Sequence, residues 1–143
     1  MDELLLMFET YVNMTEEERT TIALEASNAI LDHFENIFEG EELFDAYLQM
    51  YSIFCCVNND IAYEQYELFK NITGAQVQYE EFYPALTNCV ENVNVEEFFA
   101  FAYEQGEEFV GALCILAICI FACDGKIDEI ELKLINLYFL EQN

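Results

Sequence analysis

The stretch FVGALCILAICIFAC, residues 109–123, contains no charged side chain. A helix that is apolar on every side is stable in water only when other helices surround it. Crossing a bilayer core takes about 20 apolar residues, and this shorter run is bounded by Glu107, Glu108 and Asp124. We therefore expect the run to form the central, buried helix of a globular protein.

The composition around this run favours an all-α fold. Hydrophobic residues make up 55% of the 143 residues, and domains of about 100 to 150 residues are typical. The chain has one Pro and five Gly, whereas a sandwich or barrel needs turn residues roughly every 8 to 12 positions. We expect one compact bundle over residues 1–143, with seven to eight helices joined by short turns.

The charge balance limits the partners that the chain can bind. Asp and Glu number 29 against 4 Lys and Arg, which gives a formal net charge of -25. This charge repels nucleic-acid phosphates and anionic membranes, and it attracts cations and basic protein surfaces. We expect no nucleic-acid binding and a protein partner with a basic surface, although solvated helix faces alone also explain most of the carboxylates.

The cysteines point to a reducing compartment. Most of the six cysteines lie inside apolar runs. Free cysteine behaves as a small hydrophobic residue, so this placement indicates buried thiols. No N-terminal stretch combines the basic and apolar segments of a secretory signal. We therefore expect a cytoplasmic protein without disulfides.

Capping residues indicate where helices begin. A short oxygen-bearing side chain three residues before a carboxylate satisfies the free N–H groups of a first turn, and three such pairs are Thr15 with Glu18, Asn94 with Glu97, and Asp128 with Glu131. The first pair predicts a helix that ends near Gly40, with a core face of Ile22, Ala26, Ile30, Phe34 and Ile37. The last pair predicts a helix with a core face of Ile130, Leu134, Leu137 and Tyr138. Apolar spacing predicts further helices near residues 4–12, 41–57, 62–73, 80–90 and 95–105.

A weak internal repeat relates positions 66 apart. It pairs Asn58 with Asp124 and Leu68 with Leu134. Each copy would consist of an apolar helix, a polar turn and an amphipathic helix. Unrelated helix pairs can also be aligned this well, so the sequence leaves the repeat open.

The segment DGKIDEIE, residues 124–131, follows the pattern D-G-x-I-x-x-x-E. This pattern coincides with the second half of an EF-hand loop, in which the final Glu gives two oxygens to calcium. The first half fails, because Ile120 and Ala122 stand where two carboxylate or amide ligands belong. We do not expect a high-affinity EF-hand site.

Two interpretations of this turn remain. In one, Gly125 ends a helix and Asp128 with Glu131 only caps the next. In the other, a calcium or magnesium ion binds to Asp124, Asp128 and Glu131, with further oxygens from the first copy at Asn58, Asn59 or Asp60.

The second turn resembles that of the tellurite-resistance TerB-like domains. These are small helical proteins in which two pseudo-repeats each carry an apolar helix followed by a D-G-x-I-x-x-x-E turn. Here ACDGKIDEIELKLI fits the pattern, whereas CVNNDIAYEQYELF departs from it at Asn58, Asn59 and Gln65. The resemblance covers residues 41–143. The resemblance implies a helical module that is associated with metal or tellurite stress. Such a module is proposed to bind a cation at its acidic turns and has no established catalytic activity.

The remaining candidates favour structural roles. His33 has no second histidine or spaced cysteine pair to form a ligand set, so we expect a satisfied, partly buried side chain. Cys119 and Cys123 share a helix face, yet apolar surroundings raise thiol pKa values and blunt reactivity. No nucleophile elbow, phosphate-binding loop or dinucleotide motif is present, so we expect no enzyme. The alternative to the stress domain is an acidic interaction module, such as an immunity protein or nucleic-acid mimic, that binds a basic partner and no metal.

Overall fold

A computed structural model describes residues 2–57, 61–126 and 128–140 of the chain. These residues form eight α-helices and a final π-helical turn, and they contain no strand. The helices are α1 Asp2–Asn13, α2 Glu16–Glu35, α3 Glu41–Cys55, α4 Tyr63–Thr73, α5 Tyr79–Glu91, α6 Val95–Glu104, α7 Glu107–Ala122 and α8 Glu129–Ile135, followed by the π-helical turn Asn136–Leu140. The predicted all-α bundle is confirmed.

Helix α7 lies at the centre of the bundle. It packs against α1, α2, α3, α4, α6 and α8. Its residues 116–122 are each at most 1% exposed, which is the burial expected for a helix that is apolar all round. No helix in the described part of the chain is long and apolar enough to cross a membrane.

Two of the predicted caps have the expected geometry. Thr15 Oγ1 accepts from the Glu18 N–H at 3.1 Å, and Glu18 Oε1 accepts from the Thr15 N–H at 3.2 Å, which completes a capping box. Asn94 Oδ1 accepts from the Glu97 N–H at 3.0 Å. These short-range bonds fix where α2 and α6 begin.

The predicted core face of α2 is correct except at its end. Ile30 and Phe34 are buried, whereas Ile37 is 43% exposed. The helix stops at Glu35, five residues before Gly40, and Asn36 caps it. Residues beyond the cap no longer follow the helical spacing, so Ile37 turns away from the core.

The predicted core face of the last helix is wrong at two of its four positions. Leu134 is buried, but Ile130 is 50% and Leu137 47% exposed. The face that meets the core carries Leu132, Ile135 and Phe139 instead. The backbone changes from α- to π-helical at Asn136, and the wider π turn shifts the spacing of the residues that follow, among them Leu137. Ile130 lies before this change, in the first turn of α8.

The 66-residue repeat is present in the element boundaries. When 66 is added to the residue numbers of α3 and α4, their ranges coincide with those of α7 and of α8 plus its π-helical turn, to within one residue at each end. Gly40 and Gly106 precede the two long helices, with φ angles of 57° and 106°. These shared boundaries support the predicted repeat of a helix-turn-helix unit, in which the second copy contains the buried helix α7.

Candidate functional site: the acidic turn between α7 and α8

Short-range hydrogen bonds shape the turn that follows α7. Gly125 has a φ of 77°, a left-handed conformation that glycine adopts without strain. Asp124 Oδ1 accepts from the Lys126 N–H at 3.0 Å. Asp128 is the N-cap of α8, and its Oδ1 accepts from the Ile130 N–H at 2.8 Å. The turn thus holds both aspartates close to the start of α8.

Glu131 is the buried member of this group. Its side chain is only 2% exposed, although glutamate is almost never fully buried unless it is paired. Burial, together with the neighbouring charges of Asp124 and Asp128, raises the pKa of Glu131 to about 8, and burial is the largest of these causes. At neutral pH the carboxyl group therefore favours holding a proton.

Asp124 lies in the same surroundings. Burial raises the pKa of its carboxyl group, the Lys126 N–H and ammonium group lower it, and the charges of Glu64 and Asp128 raise it. Glu64 lies in the first turn of α4 and was not a predicted site residue. The repeat was a signal that pointed to this region, because Glu64 directly precedes Gln65, the position equivalent to Glu131.

The structure brings together three of the predicted ligands. The charge of Asp128 raises the pKa of both Asp124 and Glu131, and the charge of Asp124 raises that of Glu131, so the three carboxyl groups lie near one another. The predicted Asn58 and Asp60, like Asn59, lie outside the described residues. Within residues 2–57, 61–126 and 128–140, no three His, Cys, Asp or Glu side chains are arranged to hold a metal ion.

Gln65 occupies the position in the first copy that Glu131 occupies in the second. It is 1% exposed, and its Oε1 accepts from the Ala62 N–H at 3.0 Å. Its Nε2 donates to the Ile120 carbonyl of α7 at 3.5 Å. The first copy therefore fills this buried position with a neutral amide that bonds to the backbone.

The cysteines at the end of α7 lie in apolar surroundings. Cys119 is fully buried, and burial raises the pKa of its thiol to about 12. Burial raises the pKa of Cys123 well above its usual range, and its Sγ donates to the Ile120 carbonyl at 3.1 Å. The raised thiol pKa values agree with the prediction of low reactivity, since the thiolate is the reactive form.

His33 is a satisfied side chain. Its Nε2 forms a 2.8 Å hydrogen bond with Gln105 Oε1, and its ring centre lies 4.9 Å from that of Phe109. The predicted structural role is confirmed, and the side chain links α2 to the turn between α6 and α7.

No protein-family model, curated protein or solved structure matches the chain. The resemblance to TerB-like domains therefore stays a prediction that depends on the residues of the two turns.

Proposed function

We propose that this chain is a non-enzymatic binding domain whose acidic turn, residues 124–131, takes up a calcium or magnesium ion. The main support is Glu131, a carboxyl group that is 2% exposed next to two aspartates. Gathering like charges at a buried position costs free energy unless a proton or a cation compensates them. The equivalent Gln65 carries no charge and needs no such compensation.

The chemistry of the donors suits a hard cation. Calcium and magnesium prefer carboxylate and carbonyl oxygens, and Asp124, Asp128 and Glu131 supply up to six carboxylate oxygens. One oxygen of Asp124 accepts from the Lys126 N–H. Binding requires the three carboxylates to move closer together, and a cation would offset the repulsion that opposes this movement.

The cellular role in this proposal is a part in the response to metal or tellurite stress. Its support is the match of ACDGKIDEIELKLI to the turn of TerB-like domains. Because Asn58, Asn59 and Gln65 are neutral where the pattern has Asp, Gly and Glu, the proposal is restricted to a single cation site centred on the second copy.

Calorimetry of metal-stripped protein tests the site. We would titrate Ca²⁺, Mg²⁺ and Zn²⁺ at physiological salt, because a chain of charge -25 also collects cations diffusely. The test variant is Asp124→Asn/Glu131→Gln. The matched control is Glu80→Gln/Glu81→Gln, which removes two exposed carboxylates from the first turn of α5.

We expect saturable binding that the control keeps and the test variant loses. Because Glu131 favours a proton at pH 7, binding should also release protons, so that the heat depends on the ionisation enthalpy of the buffer. Absence of saturable heat, or equal heat in both variants, would reduce the turn to a helix cap.

A second candidate function is an acidic module for a basic protein partner. It is favoured by the charge balance, because four cationic side chains can pair with only a few of the 29 carboxylates. Such a complex would associate quickly, weaken with salt and be indifferent to Asp124→Asn/Glu131→Gln. Binding that depends on those two residues would contradict this function.

A further inference from the structure

An apolar groove opens on the side of the bundle formed by α2, α3 and α4. Its volume is about 370 Å³. Tyr47 and Phe69 form its floor, with ring centres 6.2 Å apart, and both are at most 2% exposed. Partly buried apolar side chains line the walls, namely Leu31, Leu43 and Ala75. The groove is thus lined by apolar side chains and ends on two rings of the core.

Phe44 stands at the edge of the groove. It is 54% exposed and belongs to the first turns of α3. A single exposed aromatic side chain needs no explanation. An exposed aromatic beside an open apolar groove offers a contact surface that another side chain can cover.

The groove has an acidic border. Glu35 follows Leu31 by one turn of α2, and Glu41 precedes Phe44 by three residues on α3, so helix geometry places each next to a groove residue. Both glutamates are exposed. The chain has no Lys or Arg between Arg19 and Lys70.

The nearest cation to the groove in sequence is engaged elsewhere. Lys70 lies one residue after Phe69, and its Nζ is 4.8 Å from the centre of the Tyr66 ring. A cation over an aromatic ring is weakly attracted to it at an exposed site. The border formed by α2 and α3 therefore keeps its negative character.

We infer that this groove binds a basic segment of another protein, which inserts one or two large apolar side chains over Tyr47 and Phe69. Lysine or arginine side chains of that segment contact Glu35 and Glu41. Charge complementarity selects this occupant, because a second copy of a chain with charge -25 would be repelled. The inference does not depend on a cation at residues 124–131, since the groove shares no residue with that turn.

Peptide display tests the groove and reveals the chemistry of its occupant. Random dodecapeptides would be selected on the metal-stripped protein, and each recovered peptide would then be synthesised and its affinity measured by fluorescence anisotropy. We expect peptides that combine Lys or Arg with Leu, Phe or Trp. Amide chemical shifts should change at Gly40, Phe44, Gly74 and Ala75 when these peptides bind.

Two pairs of variants separate the groove from the general charge. Phe44→Ala should weaken binding at least tenfold, whereas Leu6→Ala, at a 66% exposed position of α1, should not change it. Glu35→Gln/Glu41→Gln should weaken binding and its salt dependence more than the control Glu80→Gln/Glu81→Gln. Circular dichroism checks that each variant folds, since all these positions are exposed.

Three outcomes would overturn the inference. Recovered peptides could bind equally well to Phe44→Ala, which would show diffuse attraction to the acidic surface. The protein could dimerise in sedimentation with a dependence on Phe44, which would make a second copy the occupant. Finally, selection could recover no Phe44-dependent peptide.

Discussion

Gln65 and Glu131 occupy equivalent positions in the two copies of the repeat, and they differ by one chemical group. Both side chains are at most 2% exposed. The amide of Gln65 is neutral and bonds to Ala62 and Ile120, whereas Glu131 is a carboxyl group beside Asp124 and Asp128. The first copy thus fills this buried position with a neutral, hydrogen-bonded group, whereas the second copy places a titratable group there.

The two copies should contribute equally to one core, and the largest effects test this. Phe54 of α3 and Ile120 of α7 are equivalent and fully buried. Replacing either residue with alanine should lower the free energy of unfolding by about 3–4 kcal/mol, because the cavity left behind adds to the loss of buried apolar surface. Urea unfolding measures both. Two separate transitions, or a loss confined to one copy, would mean that the copies fold independently.

Glu131→Gln should make the second copy resemble the first. The pKa of Glu131 is raised to about 8 from an ordinary value of 4.5, so its contribution to stability is fully present below about pH 4.5 and is lost as the pH rises through 8. Without metal at pH 7, the variant should therefore be more stable than the natural chain by on the order of 2–3 kcal/mol. At pH 4.5 the difference should vanish. An equal difference in stability at both pH values would contradict a raised pKa of the Glu131 carboxyl group.

Gln65→Glu is the reverse change and should have a somewhat smaller effect. The new carboxylate keeps an acceptor for the Ala62 N–H but loses the long bond to the Ile120 carbonyl. We expect a loss of about 2 kcal/mol at pH 7 that shrinks towards pH 4.5, because the protonated group can replace the amide. Thermal unfolding at the two pH values measures it. A loss independent of pH would assign the effect to packing instead of charge.

Asp124→Asn should produce the smallest effect. It removes one negative neighbour and leaves Glu131 buried, so the pKa of Glu131 should fall but remain above its ordinary value. A carbon-detected NMR titration of the Glu131 carboxyl group measures this shift. An unchanged pKa would show that Asp124 lies too far away to share a cation with Glu131.

The sequence predicted the parts of the fold that depend on local rules. The uncharged run at residues 109–123 identified the central helix, and Thr15 and Asn94 identified two helix starts, because burial of an all-apolar helix and capping need only nearby residues. Ile130 and Leu137 were placed wrongly. Regular helical spacing does not include the π-helical turn at Asn136, which displaces Leu137 from the predicted face.

The site was predicted less completely. The residue types of Asp124, Asp128 and Glu131 were visible in the pattern, but the burial of Glu131 was not, because exposed glutamates cap helices with the same spacing. Glu18 is such a case, being exposed in the capping box of Thr15. The contribution of Glu64 arises only when α4 and the end of α7 meet in three dimensions.

Gly40 and Gly106 limit how far the sequences of the two copies can diverge. Their backbones, with φ and ψ of 57° and −126° and of 106° and 168°, lie where side chains larger than hydrogen are strained. No atom lies within 4 Å of a Cβ added at either position, so the backbone angle and not crowding selects glycine. Homologues are therefore expected to retain glycines 66 residues apart even where positions 65 and 131 have acquired different side chains.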